Sequence, residues 1–124
     1  MTYARQRLGR AAEELVADRL QRAGWRIVAR NVQLPSGELD LVALDEAILV
    51  FVEVKAGRAG ASLGPELPAH AVGRRKQLKL RSLAREWIHE RRGPSGVAGY
   101  RFDVVGVRFG PDGLADVDHI RDAF

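Results

Sequence analysis

Three side chains near the middle of the chain have the types and spacing for phosphodiester chemistry. Asp40 sits in the apolar stretch GELDLVALD, while Glu53 and Lys55 close the run ILVFVEVK, residues 48–55. Strand side chains alternate faces, so Leu49, Phe51, Glu53 and Lys55 share one side and Val50, Val52 and Val54 the other. An acid and a base thus continue a row begun by Leu and Phe, where unpaired charge is costly. Mutual pairing, a metal ion or a cleft open to water would meet that cost; otherwise the strand simply emerges into solvent at Glu53. If the two stretches pair across Asp45-Glu46-Ala47, Asp40 lies opposite Val52 or Glu53, depending on register. In the second register two carboxylates stand side by side and repel unless a cation or a shared proton intervenes. With no cysteine and only the scattered His70, His89 and His119, hard oxygen ligands favour Mg²⁺ or Mn²⁺ over Zn²⁺. The histidines read as surface or local packing residues. Lys55, on the face of Glu53, is placed to hold an attacking water or to stabilise charge developing on a phosphate.

These residues need elements to position them. The period of Leu8, Ala12, Leu15, Val16, Leu20 and Ala23 predicts a helix over 5–23, stopped by Gly24. A strand over 25–32 follows, then a turn at Leu34-Pro35-Ser36-Gly37 and a second strand over 38–44. The third strand, 48–55, is apolar enough to be buried on both faces at a sheet centre. Residues 56–73 are rich in Gly, Ala and Pro without a period and read as a loop. A second helix is expected over 74–91, with Leu80, Leu83, Ala84, Trp87 and Ile88 on one face. Strands over 100–109 and 114–120, joined by Gly110-Pro111-Asp112-Gly113, complete the order α-β-β-β-α-β-β. That order implies a mixed sheet packed by helices, an α/β domain. Trp25, Trp87, Phe51 and Phe102 fall within apolar periodicity and read as core, not as base-stacking platforms.

Composition narrows the functions. At 124 residues the chain fits a single domain over 1–124. The lack of cysteine excludes disulfide scaffolds, thiolate zinc sites, iron–sulfur clusters and thiol nucleophiles. The serines lack a nucleophile-elbow motif, and no phosphate-binding loop or dinucleotide fingerprint occurs. No apolar run approaches the ~20 residues that span a bilayer, and the start MTYARQRLGR has no signal-peptide core. A cytoplasmic protein without a membrane partner is expected. The net charge of +4 is unevenly spread: residues 1–30 carry +4, residues 74–92 carry +6 and the remainder carries −6. A basic face beside a carboxylate-rich centre suits a polyanion. Arg74, Arg75 and Lys76 open the second helix against its dipole, so helix stabilisation does not explain them. On the helical wheel Lys76 and Gln77 fall near the side of Leu80 and Trp87, so that Gln77 can look into the cleft, while Arg75, Lys79 and Arg85 face away. Arg74, Arg75, Lys76, Gln77 and Lys79 are therefore the candidate nucleic-acid contacts, and binding through them should weaken with salt.

The spacing of Asp40 from Glu53-Val54-Lys55 resembles the PD-(D/E)xK core of restriction-endonuclease-like nucleases, with Leu39 in the place of the motif's proline. The wider pattern resembles the bacterial YraN family. It includes Ala12-Glu13, Ala29-Arg30-Asn31, Gly37-Glu38-Leu39-Asp40-Leu41-Val42, Val50-Phe51-Val52-Glu53-Val54-Lys55, Lys76-Gln77, Arg101-Phe102-Asp103-Val104-Val105, His119-Ile120 and Ala123-Phe124. Two positions depart from it: Ala12 where the family usually has Gly, and Ala56-Gly57-Arg58 where it more often has Thr or Ser followed by Arg.

The resemblance implies a restriction-endonuclease-like mixed sheet of about five strands flanked by helices, similar to archaeal Holliday-junction resolvases. It implies that Asp40 and Glu53 are metal ligands, that Lys55 is the catalytic base or charge stabiliser, and that Glu13 completes the metal site. Helical geometry puts Glu13 at the edge of the apolar stripe and Glu14 nearly opposite. The expected function is a Mg²⁺- or Mn²⁺-dependent nuclease acting on DNA, branched DNA included, with a homodimer needed to cut both strands. The alternative is a non-catalytic nucleic-acid-binding module that retains the nuclease fold. A structural or adaptor protein whose charges pair internally is the third reading.

Overall fold

The apolar run that begins at Ile48 forms the middle strand of a five-stranded sheet, and the rest of the chain is arranged around it. The computed structural model describes residues 3–58, 72–90 and 92–124. In chain order the elements are α1 (Tyr3–Arg22), β1 (Arg26–Leu34), β2 (Gly37–Asp45), β3 (Ile48–Arg58), α2 (Arg74–His89), β4 (Gly99–Phe109) and β5 (Ala115–Ile120). The strands lie in the spatial order β1-β2-β3-β4-β5. Three neighbouring pairs are antiparallel; β3 and β4 are parallel. A parallel pair needs a crossover, and α2 lies in the connection that supplies it. The expected α/β class, a mixed sheet of five strands flanked by helices, is the observed one, and it matches the restriction-endonuclease-like arrangement.

The alternation along β3 builds two cores. Leu49 and Phe51 pack with Leu80, Leu83, Ala84 and Trp87 of α2. Val50 and Val52 pack with Ala12, Val16, Ala17 and Leu20 of α1. Trp87 sets its ring edge against Phe51, and Phe51 stacks on Phe102, which stacks on Phe124. The four aromatics expected in the core are all buried. No helix among the described residues is long and apolar enough to cross a membrane.

The boundaries shift for local reasons. α1 ends at Arg22 and is capped by Gly24, whose φ of 95° suits glycine, with Trp25 N–H donating to Leu20 O (2.9 Å) and Gly24 N–H to Gln21 O (3.0 Å). This is the Schellman pattern of a helix end. Both hairpin turns are shorter than expected, because Leu34 and Gly37 belong to strands, as does Asp45. The expected loop over 56–73 is corrected at its start: β3 continues to Arg58, because β4 offers it a parallel ladder as far as Arg58–Phe109. The rest of that loop over 59–71, including His70, lies outside the described residues, as does Arg91 at the end of the expected second helix.

One buried charge in the sheet is fully answered. Asp103 of β4 has no exposed surface. It accepts hydrogen bonds from Arg101 Nε (2.9 Å) and Nη2 (3.1 Å) and from the Asp122 N–H (3.0 Å), and it lies 2.7 Å from His119 Nε2. Arg101 also reaches Asp45 at 3.3 Å. Burial pushes the Asp103 carboxyl up, but the bonds from His119, Arg101 and Asp122 outweigh it and hold it below its usual value. His119 is thus a packing residue, as expected, with a polar duty that the sequence did not suggest. Removing one partner of such a network strands the others. Asp103→Ala should therefore cost about 3–5 kcal/mol, read as a lower urea midpoint at unchanged slope. A loss below about 1 kcal/mol would show that the network does not support the fold.

Candidate active site

The β2–β3 ladder runs from Asp45–Ile48 to Leu41–Val52. One further step in this register sets Asp40 opposite Glu53, the second of the two registers the hairpin allowed. The regular pairing of the two strands stops there. β2 remains with β1 as far as Gly37, and β3 remains with β4 as far as Arg58. At this fork the Val54 N–H donates to Asp40 Oδ2 at 2.9 Å, so a side chain takes the place of a ladder carbonyl.

Carboxylates gather at the fork from three elements. Glu53 is only 7% exposed, and its charge bears on Asp40 across the fork. Glu13 arrives from α1, half-buried at the edge of the apolar stripe, while Glu14 is exposed. Carboxylate oxygens of Glu13, Glu38 and Asp40 lie within 4.8 Å of one another. Two lysines answer this charge: Lys76 Nζ lies 3.5 Å and Lys55 Nζ 3.7 Å from the same Glu53 Oε2.

The four acids nevertheless outnumber the two lysines. Burial first, then the charge of Glu53, pushes Asp40 up to about 8, with Glu13 adding to the rise and the Val54 N–H opposing it. Burial and Glu38 raise Glu13 as well, against Arg10. A divalent cation would relieve this repulsion, and an all-carboxylate donor set of this kind fits Mg²⁺ or Mn²⁺.

Among the residues singled out in the sequence, the structure brings Asp40, Glu53, Lys55 and Glu13 together. Lys76, expected among the nucleic-acid contacts, has its Nζ at the cluster, beside Glu53. Gln77 donates to its own helix entry at Val72 O (3.1 Å). Arg74, Arg75 and Lys79 are exposed, and neither arginine has a carboxylate partner among the described residues.

Sequence reasoning missed Glu38 and Asn31. The signal for Glu38 was available, since it precedes Asp40 by two residues and so shares its face of β2. Asn31 lies between the paired residues Arg30–Leu41 and Val32–Leu39, hence across β2 from Asp40, in a left-handed conformation with φ of 49°. No pattern announces that geometry, although Asn tolerates it better than most residues.

Residues 12–107 match the Uncharacterised protein family UPF0102. A UPF0102 protein of Syntrophotalea carbinolica is 44% identical over 124 residues, covering 100% of this chain and 96% of its own length. The chain belongs to UPF0102. A UPF0102 protein of Symbiobacterium thermophilum is 45% identical over 118 residues, covering 95% of this chain and 96% of its own. Another from Pelotomaculum thermopropionicum is 42% identical over 125 residues and covers 100% of both chains. UPF0102 is the YraN family that the motifs resemble. Its matched span in this chain takes in Glu13, Glu38, Asp40, Glu53, Lys55 and Lys76.

The raised Asp40 carboxyl makes a prediction for this UPF0102 protein in EDTA. A carboxyl with a higher pKa folded than unfolded binds more protons in the folded state, so stability falls as pH rises from about 4 to about 8. Asp40→Asn removes that slope and should stabilise the metal-free protein at pH 8 by on the order of 2 kcal/mol. Urea melts across that range check it; parallel pH profiles for the two proteins would refute the account.

Proposed function

We propose that this UPF0102 protein is a divalent-metal-dependent nuclease that hydrolyses phosphodiester bonds in DNA, branched DNA included. One observation carries the reading: the carboxylates of Asp40 and Glu53 meet at the β2–β3 fork with Lys55 and Lys76 beside them. Asp40, Glu53 and Glu13 would hold Mg²⁺ or Mn²⁺, with Glu38 close enough to join them. When bound, such an ion offsets phosphate charge and makes water more acidic.

The remaining roles fall to the protein's own side chains. Lys55 would orient the attacking water and stabilise the charge that develops on the phosphate. Lys76 brings a second ammonium from α2 to the same carboxylate. The exposed Arg74, Arg75 and Lys79 on the same turns of α2 would neutralise flanking phosphates, each releasing counterions. With one such centre per chain, cutting both strands would take two copies.

The test is cleavage of linear, flapped and four-way-junction DNA in Mg²⁺, Mn²⁺ or EDTA. Cleavage should require the metal, and Asp40→Asn and Lys55→Ala should each lower its rate by about 10²-fold or more. Binding without cleavage in every condition would instead favour the non-catalytic module. Absence of binding at low salt would remove both readings.

A further inference from the structure

Beside the carboxylates lies a cavity of about 360 Å³, between α1 and the β1–β2 hairpin. Glu13 and Glu38 line one part of it; the rest is Gln6, Gly9 and Arg10 of α1 with Asn31 and Gln33 of β1. Among the described residues no aliphatic or aromatic side chain lines it, so the lining does not suit an apolar ligand. Its volume is near the lower end for ligand clefts, roughly 300–1,000 Å³, which suits one nucleotide rather than a base pair.

The lining has the chemistry for a nucleotide. Asn and Gln carboxamides each present a donor and an acceptor, the combination that reads a base edge. Arg10 supplies a guanidinium for a phosphate. Gln33 already donates to Glu38 Oε2 at 2.8 Å, which fixes its amide and leaves its oxygen as an acceptor. Asn31 bears the clearest mark. Its backbone is left-handed, with φ of 49°, at the position across from Asp40. The same residue also lines a second, smaller cavity of about 120 Å³ together with Arg10 and Glu13. Strain at a non-glycine residue is kept where a side chain must be aimed.

We infer that this cavity receives a single unpaired nucleotide beside the bond to be cut, with Arg10 meeting its phosphate and Asn31 and Gln33 its base. The inference rests on the nuclease reading and deepens it: the substrate strand is single-stranded at the site, as in a flap or an overhang, rather than part of continuous duplex.

Two substitutions test this without disturbing the carboxylates. Asn31→Gly keeps the left-handed backbone and removes the carboxamide. Gly9→Leu fills the cavity, since a Cβ there meets no atom within 4 Å, and it replaces glycine in a helix by a better helix former. Binding of three labelled DNAs is measured by anisotropy in Ca²⁺ and in EDTA: a blunt duplex, the same duplex with a short unpaired flap, and the single strand. In Ca²⁺ the wild-type protein should prefer the flap and the single strand over the blunt duplex by about tenfold, the scale of one bidentate base contact. Each variant should lose that preference while keeping its blunt-duplex affinity and without a fall in its thermal midpoint. Equal binding of all three DNAs by the wild type, or a preference that survives in the variants, overturns this inference and leaves the nuclease reading standing. No binding to any DNA in either condition overturns both.

Discussion

The juxtaposition of Asp40 and Glu53 depends on the register of β2 against β3, and that register is held by the two cores. A slip of one residue would exchange every side chain of β3 between the α1 and α2 faces. Phe51 would leave its contacts with Trp87 and Phe102, and Val50 and Val52 would leave the α1 side. Apolar packing along Ile48–Val52 therefore enforces an acid pair that electrostatics alone would separate. The fork then determines what the pair can do. Because β2 turns away with β1 while β3 stays with β4, the carboxylates face a gap that Glu13 and Lys76 can enter from two different helices.

Two carboxylates of this sheet show how environment divides structural from chemical roles. Asp103 has no exposed surface, yet Arg101, His119 and the Asp122 N–H hold it below its usual pKa. Asp40 is half-buried, but it has one backbone N–H for support and acids on its other sides, and it is raised to about 8. The first site is saturated by the protein, so its chemistry is complete. The second lacks positive charge, and a ligand can supply what the fold withholds. Strongly perturbed groups of the second kind, set in a cleft, mark functional sites more often than saturated ion pairs do.

Much of this was legible in the sequence because it rests on local pattern. The helical stripes, the largely apolar third strand and the stop at Gly24 each follow from one residue period or one glycine. Asp40, Glu53 and Lys55 stood out because charge interrupts an apolar row. The register did not follow, since a connection read as Asp45-Glu46-Ala47 leaves two pairings open. It is settled by Asp45 joining β2 and by Glu46 taking a left-handed conformation with φ of 55°. The end of β3 was missed for a related reason: Ala56-Gly57-Arg58 has no strand signal of its own and is extended because β4 lies beside it. Lys76 was placed on the right side of its helix, but its partner was not visible, because Glu53 and Lys76 meet only once α2 packs across the sheet. Asn31 lies furthest from sequence reasoning, since its backbone is set by tertiary context.

The position of Lys76 links the basic turn of α2 to the carboxylates. Lys76 is one residue from Arg75 and two from Arg74, and it alone of the three has a carboxylate partner among the described residues. Its ion pair with Glu53 ties the start of α2 to the middle of β3, so the cationic face and the acidic cluster form one electrostatic unit. The two lysines lie against a single oxygen, Glu53 Oε2, and leave the Glu13, Glu38 and Asp40 oxygens without a lysine partner. On the proposed reading, the positive charge that the fold provides is therefore concentrated on the strand carrying the catalytic lysine. The unmet negative charge lies on the side of α1 and β2, where Arg10 and Asn31 line the adjoining cavity. On that reading cation and substrate would approach the same acids from that side, and one small domain would combine metal capture with strand selection.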